Sequence, residues 1–348
     1  MSQAEGTHST RDLLARLLAR TLEYDFTVWV WGDAIAIDGL LEAAALLGND
    51  DATRWVTGFY RAWARRSLTW QDHLTPGLGL LRVYRQTRDE ALLVAAQGLA
   101  QLLESAPHSP RFDAPMYRPD INVWRHNVWV DTMYHEPSFF CELAELTGDS
   151  RLTDVGLKIW DSHVRALSSP HGPFLAHSID CGSRALKGYG WGRGQGWALY
   201  GMVDTLERLS PSHPQYTERL EQLRTRAEQI AILQDASGFW HTLIHDREAY
   251  LESSTAAFFG AAFTRAVRLG LLGAEYQSVI ERAWRAVRSR IDHQGSFHGV
   301  SGFTHAGVSL DDAVSMYKTL PTETNVWGQG AALRFACERL LSGQEEWS

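Results

Sequence analysis

Two carboxylates and one arginine stand where side chains could do chemistry. Asp131 lies in Trp129-Val130-Asp131-Thr132-Met133-Tyr134-His135, where a segment rich in Pro, Arg, His and Asn (107–128) runs into a long apolar-periodic stretch. Asp72 stands in Trp70-Gln71-Asp72-His73, and Arg193 in Trp191-Gly192-Arg193-Gly194-Gln195-Gly196-Trp197. A carboxylate at a helix start could be an ordinary cap. Packed among aromatics, it could equally handle protons. Two carboxylates flanking a sugar are the minimum for most glycoside chemistry, one donating a proton and the other stabilising or activating. Asp131 and Asp72 are the best such pair. A helix N-terminus favours the charged carboxylate, whereas burial among Trp70, Trp129 and Tyr134 and a like charge nearby favour the protonated one. Sequence leaves these effects opposed. Arg193 offers a planar fork for a carboxylate, and its glycines let backbone and ligand approach closely. An acidic sugar is the natural ligand, against the competing reading of a core arginine paired with an acid.

Other chemistries find less support. His177, in Phe174-Leu175-Ala176-His177-Ser178, falls in a loop on the same presumed side as Asp131. His241 and His245 have the i,i+4 spacing of a zinc helix, but they follow Gly238-Phe239-Trp240 in a loop, and Thr242 stands where a zinc motif has Glu. No metal and no cofactor is expected. There is no Gly-x-Ser-x-Gly nucleophile, and no β-α-β unit surrounds the Gly-x-Gly-x-Gly run, so it does not imply a nucleotide site.

The 14 tryptophans are more telling. Trp29, Trp31, Trp70, Trp124, Trp129, Trp191, Trp197, Trp240 and Trp327 lie in Gly-rich or polar settings. Some must be core; others could stack against the apolar C–H faces of sugars. The chain has 348 residues, is 45% hydrophobic and carries a formal net charge of −8. It can bury a large core, and no basic block offers a surface for nucleic acid. The arginines are scattered at helical spacing, and most of them read as solvated helix face. Cys141, Cys181 and Cys337 form neither a disulfide framework nor a metal pattern, which fits a reducing compartment. Residues 1–10 are polar and no stretch reaches the ~18 apolar residues needed to span a bilayer. With no signal peptide in view, a cytoplasmic enzyme is expected, with no membrane partner.

The elements that must position these residues are helices. A 3.6-residue period recurs throughout, predicting helices over 11–23, 34–48, 51–66, 74–87, 90–104, 131–147, 150–167, 194–208, 214–233, 253–270, 273–290 and 325–342. Pro137 predicts a kink or a later true start in the sixth. Gly/aromatic elements recur after alternate helices, with Phe112, Phe174, Phe239 and Phe297 spaced by 62, 65 and 58 residues. Six such units fill the chain, each a helical hairpin with a loop able to hold a short strand. Six hairpins close into an all-α (α/α)6 toroid, a single domain over 1–348. Unusual residues precede the even-numbered helices, which would be the inner ones with their starts lining one pit. Ser253, Ser254 and Thr324 read as N-caps, and Asp33 as the cap of the second helix.

Three motifs then resemble the unsaturated uronyl hydrolases: glycoside hydrolase family 105 (unsaturated rhamnogalacturonyl hydrolases) and its relative family 88 (unsaturated glucuronyl hydrolases). They are Trp129 to Tyr134, Trp191 to Trp197, and Tyr250-Leu251-Glu252-Ser253-Ser254; Asp72-His73-Leu74-Thr75-Pro76-Gly77 and Gly328-Gln329-Gly330-Ala331-Ala332 agree more loosely. Gln195 is closer to the family 88 form, while Gly192 and the Tyr-Leu-Glu-Ser-Ser run are closer to family 105. The resemblance implies the (α/α)6 barrel already suggested by the repeat. It implies a substrate whose non-reducing sugar carries the C4=C5 double bond left by a polysaccharide lyase. It implies that Asp131 protonates C4 and draws a proton from the water that adds at C5, so that the sugar opens and expels the remaining oligosaccharide. Asp72 matches the second aspartate of the family. Arg193 and His177 match positions that hold the uronate or assist near the ring, and Trp191, Trp197, Trp129 and Gln195 complete the expected substrate-binding set. Acid hydrolysis of saturated glycosides and non-catalytic binding of acidic sugars are the competing functions.

Overall fold

The structure is a computed structural model describing residues 9–26, 32–74, 77–304 and 310–343. Trp29 and Trp31 lie outside the described residues. The chain runs α1 (Thr10–Thr21), α2 (Asp33–Leu47), α3 (Asp50–Trp63), a 3-10 turn (Trp70–Leu74), α4 (Gly77–Thr87), α5 (Glu90–Glu104), β1 (Asn127–Trp129), α6 (Thr132–His135) and α7 (Pro137–Thr147). It continues through α8 (Arg151–Leu167), β2 (Ser168–Ser169), β3 (Gly172–Leu175), β4 (Ser178–Asp180), β5 (Ala185–Lys187), α9 (Gly192–Arg208) and α10 (Tyr216–Ala231). The last part holds β6 (Trp240–His241), β7 (Leu251–Glu252), α11 (Ser253–Arg268), a 3-10 turn (Ala274–Tyr276), α12 (Gln277–Arg288), β8 (Val300–Ser301), α13 (Leu310–Thr319), β9 (Thr322–Glu323) and α14 (Val326–Leu341).

Burial sorts the helices into two layers. In α3 only Ala52, Val56, Tyr60 and Trp63 are buried, a single stripe at helical spacing. By contrast α9 is buried from Gly192 through Leu206, and α11 from Ser253 through Ala266. A stripe needs one neighbour; a helix buried all round needs them on every side. Accordingly α2 packs on α14, α14 on α11, α11 on α9, α9 on α7, α7 on α4 and α4 on α2, closing an inner ring. Outside it, α1, α3, α5, α8, α10 and α12 each lie against an inner helix. This is an (α/α)6 barrel.

The inner helices approach closely because glycines face one another's backbones. A Cβ added at Gly330 of α14 would lie 2.5 Å from Ala36 N of α2, and one at Gly201 of α9 would lie 1.9 Å from Met133 O of α6. Backbone cannot swing aside as a side-chain tip can. Gly201→Ala is therefore expected to push apart α9 and the turn that follows Asp131. It should lower both melting temperature and kcat; a variant matching wild type in both would contradict this packing.

Several expectations change in detail. The helix expected over 131–147 breaks at Glu136, and Pro137 takes the first turn of α7, where its missing N–H costs nothing. Helix α13 was not anticipated. Gly32, not Asp33, precedes α2, and its cap position carries no side-chain hydrogen bond. Glu252, not Ser253 or Ser254, caps α11, accepting from the amides of Ser254 (3.1 Å) and Thr255 (2.7 Å). The His241/His245 pair, by contrast, lies off any helix as expected: His241 sits on β6 and its Nδ1–H donates to Ala249 O at 2.5 Å.

A minority of the arginines turns inward. Arg193, Arg219, Arg226, Arg265, Arg334 and Arg339 are all buried. Arg265 and Arg334 belong to a charged network inside the ring. Arg265 pairs with Glu338, with Asp204 at 2.9 Å and with Glu207 at 2.5 Å. Arg334 pairs with Glu42 at 2.8 Å and donates to Tyr200 Oη at 2.6 and 2.9 Å. Tyr134 donates to Asp38 at 3.1 Å. Burial opposes the charge on both arginines, but the surrounding carboxylates and tyrosines hold their pKa values well above the usual arginine value.

Candidate active site

The starts of the inner helices meet at one end of the ring. A Cβ on Gly32, before α2, would touch the Trp327 ring of α14 at 2.9 Å, and one on Gly194 of α9 would lie 3.0 Å from Val130. Arg193 of α9 reaches Ser254 of α11 at 3.3 Å, and Trp327 Nε1 donates to Ser301 O at 3.1 Å.

Asp131 occupies the residue before α6, but its side chain makes no capping bond. It is 2% exposed, and its Oδ2 is buried without a hydrogen-bond partner. A buried acceptor left open costs stability unless something else uses it. His177 Nε2 lies 3.5 Å from Asp131 Oδ2. Strand pairing brings the two together. β1 and β4 pair antiparallel with Trp129 opposite Ser178, and Val130 N donates to His177 O at 2.9 Å. The other ring nitrogen of His177, Nδ1, meets the hydroxyl of Tyr317 from α13.

Aromatic rings wall this group. Trp129 meets the His177 ring edge-on with centroids 4.5 Å apart, and Trp191 lies 4.1 Å from it on another side. Tyr117 stacks on Trp129 at 4.6 Å and 11°, and the partly exposed Trp124 meets Trp129 edge-on at 5.7 Å. Burial, and then the charge of Asp131, push the hydroxyls of Tyr117 and Tyr317 well above the usual tyrosine pKa, so both keep their protons. Neither tyrosine was singled out from sequence. Tyr117 sits in the polar 107–128 segment, and Tyr317 on a helix whose residues showed no distinguishing motif.

Four expected site residues are otherwise engaged. Asp72 is buried, but its carboxylate accepts from Trp63 Nε1 (3.0 Å) and Thr69 N (2.8 Å) and pairs with Arg66. These bonds hold the 3-10 turn to α3, and no contact joins Asp72 to Asp131 among the described residues. Arg193 is fully buried, and its fork is filled by protein oxygens: Ser301 O (3.2 Å), Ser301 Oγ (2.5 Å), Gly302 O (3.1 Å) and Thr304 Oγ1 (3.1 Å). Its charge lies 4.9 Å from the Trp191 ring and 5.4 Å from the Trp327 ring. Burial lowers its pKa, against the opposing charges of Glu252 and Asp131. Gln195 clamps β3, accepting from Leu175 N at 3.1 Å and donating to Leu175 O at 2.9 Å. Gln329 of α14 repeats the clamp on Phe297 N (3.0 Å) and Gly295 O (2.9 Å). Trp197 is buried among Tyr134, His135 and Phe258, one turn below the pit. Of the expected set, the structure gathers Asp131, His177, Trp129 and Trp191 around one point.

Comparison with known proteins fits this arrangement. The profile described as Glycosyl Hydrolase Family 88 matches residues 16–342. The chain belongs to glycosyl hydrolase family 88. As a family 88 protein it is a glycoside hydrolase. It is 26% identical over 343 residues to the unsaturated rhamnogalacturonyl hydrolase YesR of Bacillus subtilis, covering 94% of each chain. It is 25% identical over 219 residues to an unsaturated 3S-rhamnoglycuronyl hydrolase of an Alteromonas species, covering 61% of this chain and 51% of that one. Its fold matches a possible family 105 member from Salmonella enterica serovar Paratyphi A, with a TM-score of 0.83 at 20% identity, covering 98% of this chain and 96% of that one. It also matches the unsaturated glucuronyl hydrolase of Bacillus sp. GL1, with a TM-score of 0.71 at 17% identity and 96% and 95% coverage. Among the described residues, no helix of this family 88 chain is long and apolar enough to cross a membrane.

One further carboxyl lies close to the site in sequence. Burial alone pushes Glu136, at the break between α6 and α7, up to about 8. The folded group keeps its proton up to that pH, whereas the unfolded group releases it near 4.5. Stability linked to Glu136 is therefore complete below about pH 4.5 and is lost as pH rises towards 8. Glu136→Gln should gain melting temperature over wild type at pH 8 but not at pH 5. An equal effect at both values would contradict the assignment.

Proposed function

We propose that this family 88 enzyme hydrates the C4=C5 double bond of a non-reducing-end unsaturated uronyl residue, with Asp131 as the group that gives and takes the proton. The observation that carries the proposal is the buried, uncapped and open Oδ2 of Asp131, facing His177 inside an aromatic wall. No helix cap and no hydrogen bond occupies this oxygen, which leaves it open to a substrate. In the first step its proton goes to C4, and positive charge develops at C5 and the ring oxygen. The carboxylate so formed takes a proton from water as that water adds at C5. The resulting hemiketal opens and the aglycone oligosaccharide leaves as an alcohol. One carboxyl returns to its starting state after each cycle.

The other residues support this reading in different ways. His177 lies beside Asp131 and positions it; Trp129 and Trp191 frame the sugar. Arg193 supports the pit by holding the Ser301–Thr304 segment and the faces of Trp191 and Trp327. Asp72 anchors the turn before α4 through Arg66 and Trp63. The inner ring closes through helices from both ends of the chain, which supports one catalytic domain. The full-length similarity to an unsaturated rhamnogalacturonyl hydrolase favours pectic fragments over glycosaminoglycan fragments. A panel of lyase-generated pectic, glycosaminoglycan and ulvan disaccharides tests this through loss of the near-ultraviolet absorbance of the conjugated double bond. Consumption of a pectic member is expected. Failure on every member, or cleavage of saturated glycosides instead, would overturn the proposal.

A further inference from the structure

We propose that Tyr317 is a positioning residue for catalysis: its hydroxyl donates to Nδ1 of His177 and thereby fixes the His177 proton on Nε2, facing Asp131. The inference rests on the role given to Asp131 above. A neutral imidazole carries one proton, and the bond made at one nitrogen decides what the other offers. Hydroxyl and Nδ1 are in direct contact, and Nε2 lies 3.5 Å from Asp131 Oδ2. A tyrosine hydroxyl can donate or accept. Here it is fully buried and keeps its proton, so it is able to donate. It is the donor because a proton on Nδ1 would leave the Nε2 lone pair facing Asp131 Oδ2 at 3.5 Å, whereas a hydroxyl donating to Nδ1 places the proton on Nε2 between them. That N–H lies on the Asp131 side of the ring, 3.5 Å from Oδ2, where it can meet the charge that follows protonation of C4.

The local structure is built to hold this alignment. His177 N donates to Gly188 O at 3.1 Å, and a Cβ on Gly188 (φ +64°) would lie 2.4 Å from the Tyr317 hydroxyl. The backbone at Gly188 thus anchors the histidine and leaves room only for the hydroxyl. The Trp191 ring lies 4.1 Å from His177 and 5.8 Å from Tyr317 and limits sideways movement of both. Helix α13 is tied down by the next residue, Lys318, which pairs with Asp246 at 2.6 Å. Among the described residues, His177 lies 3.5 Å from Asp131, and Tyr117, Tyr317 and Arg193 feel its field. Of these, Tyr317 is the one that touches His177 Nδ1.

Tyr317→Phe, with nitrogen-15-labelled histidine, tests the proposal. Wild type should show His177 in the single tautomer protonated on Nε2, and the variant a mixture of tautomers. With the preferred lyase disaccharide, kcat should fall about 10-fold, the loss of one buried hydrogen bond, with KM and melting temperature nearly unchanged. A wild-type proton on Nδ1, an unchanged tautomer in the variant, or a loss seen only in KM or melting temperature would overturn it. The tautomer is read without turnover, so it stands apart from the role of Asp131. An active Asp131→Asn enzyme would sink that role while leaving the Tyr317–His177 result readable.

Discussion

Asp131→Asn should lower kcat about 10^3-fold, within the range by which a positioned general acid/base contributes, while the melting temperature stays level or rises. The split follows from the environment of the side chain. Asp131 caps no helix, and its Oδ2 is buried without a hydrogen bond. The fold therefore loses no cap and no hydrogen bond when an amide of the same shape replaces the carboxyl group. Steady-state kinetics on an unsaturated disaccharide and a thermal melt provide the check. An active variant, or one inactive because it unfolds, would contradict the assignment.

The largest expected effect on stability comes from Arg265→Met. Arg265 neutralises the buried Glu338 and Asp204 and the exposed Glu207, and its own side chain is buried. Removing one partner of a buried ion pair leaves uncompensated charge and costs about 3–5 kcal/mol. Here two buried carboxylates, Glu338 and Asp204, lose the same cation, so the upper part of that range is expected. Urea denaturation should show a reduced midpoint, with kcat per folded molecule unchanged. A midpoint equal to wild type would mean that Arg334, Arg268 and Arg208 suffice to neutralise the network.

Much of the barrel was legible because helical periodicity and loop spacing are local signals. The 58-to-65-residue recurrence of Phe112, Phe174, Phe239 and Phe297 counted the hairpins correctly, and Pro137 marked a real break. Layer assignment was also legible, since unusual residues cluster before the inner helices. Which arginines turn inward was not. A buried arginine and a solvated one look alike in sequence, because the partner that permits burial, such as Glu338 for Arg265, lies 73 positions away.

The site divides in the same way. Asp131 and His177 were found as residue types in suggestive places, and strand pairing brings them together. Asp72, Arg193, Gln195 and Trp197 were found by the same reasoning, yet their polar atoms or rings are engaged within the protein. A motif records which residues a site region uses, not whether each meets the ligand or holds up one that does. Gln195 and Gln329 illustrate this. Both sit in Gly-Gln-Gly triplets, and both clamp a loop backbone, a structural duty repeated around the ring. Tyr317 gave no signal, since its meaning depends on a contact across 140 residues of sequence.

Hydration and ordinary hydrolysis differ in where a solvent proton ends up. The most direct test is turnover of an unsaturated uronyl disaccharide in heavy water, followed by mass spectrometry and proton NMR of the released acid. The account predicts loss of the double-bond absorbance and one deuterium delivered to a single face of C4, with both signals absent in Asp131→Asn. Release of the aglycone with the double bond intact and no deuterium at C4 would contradict it.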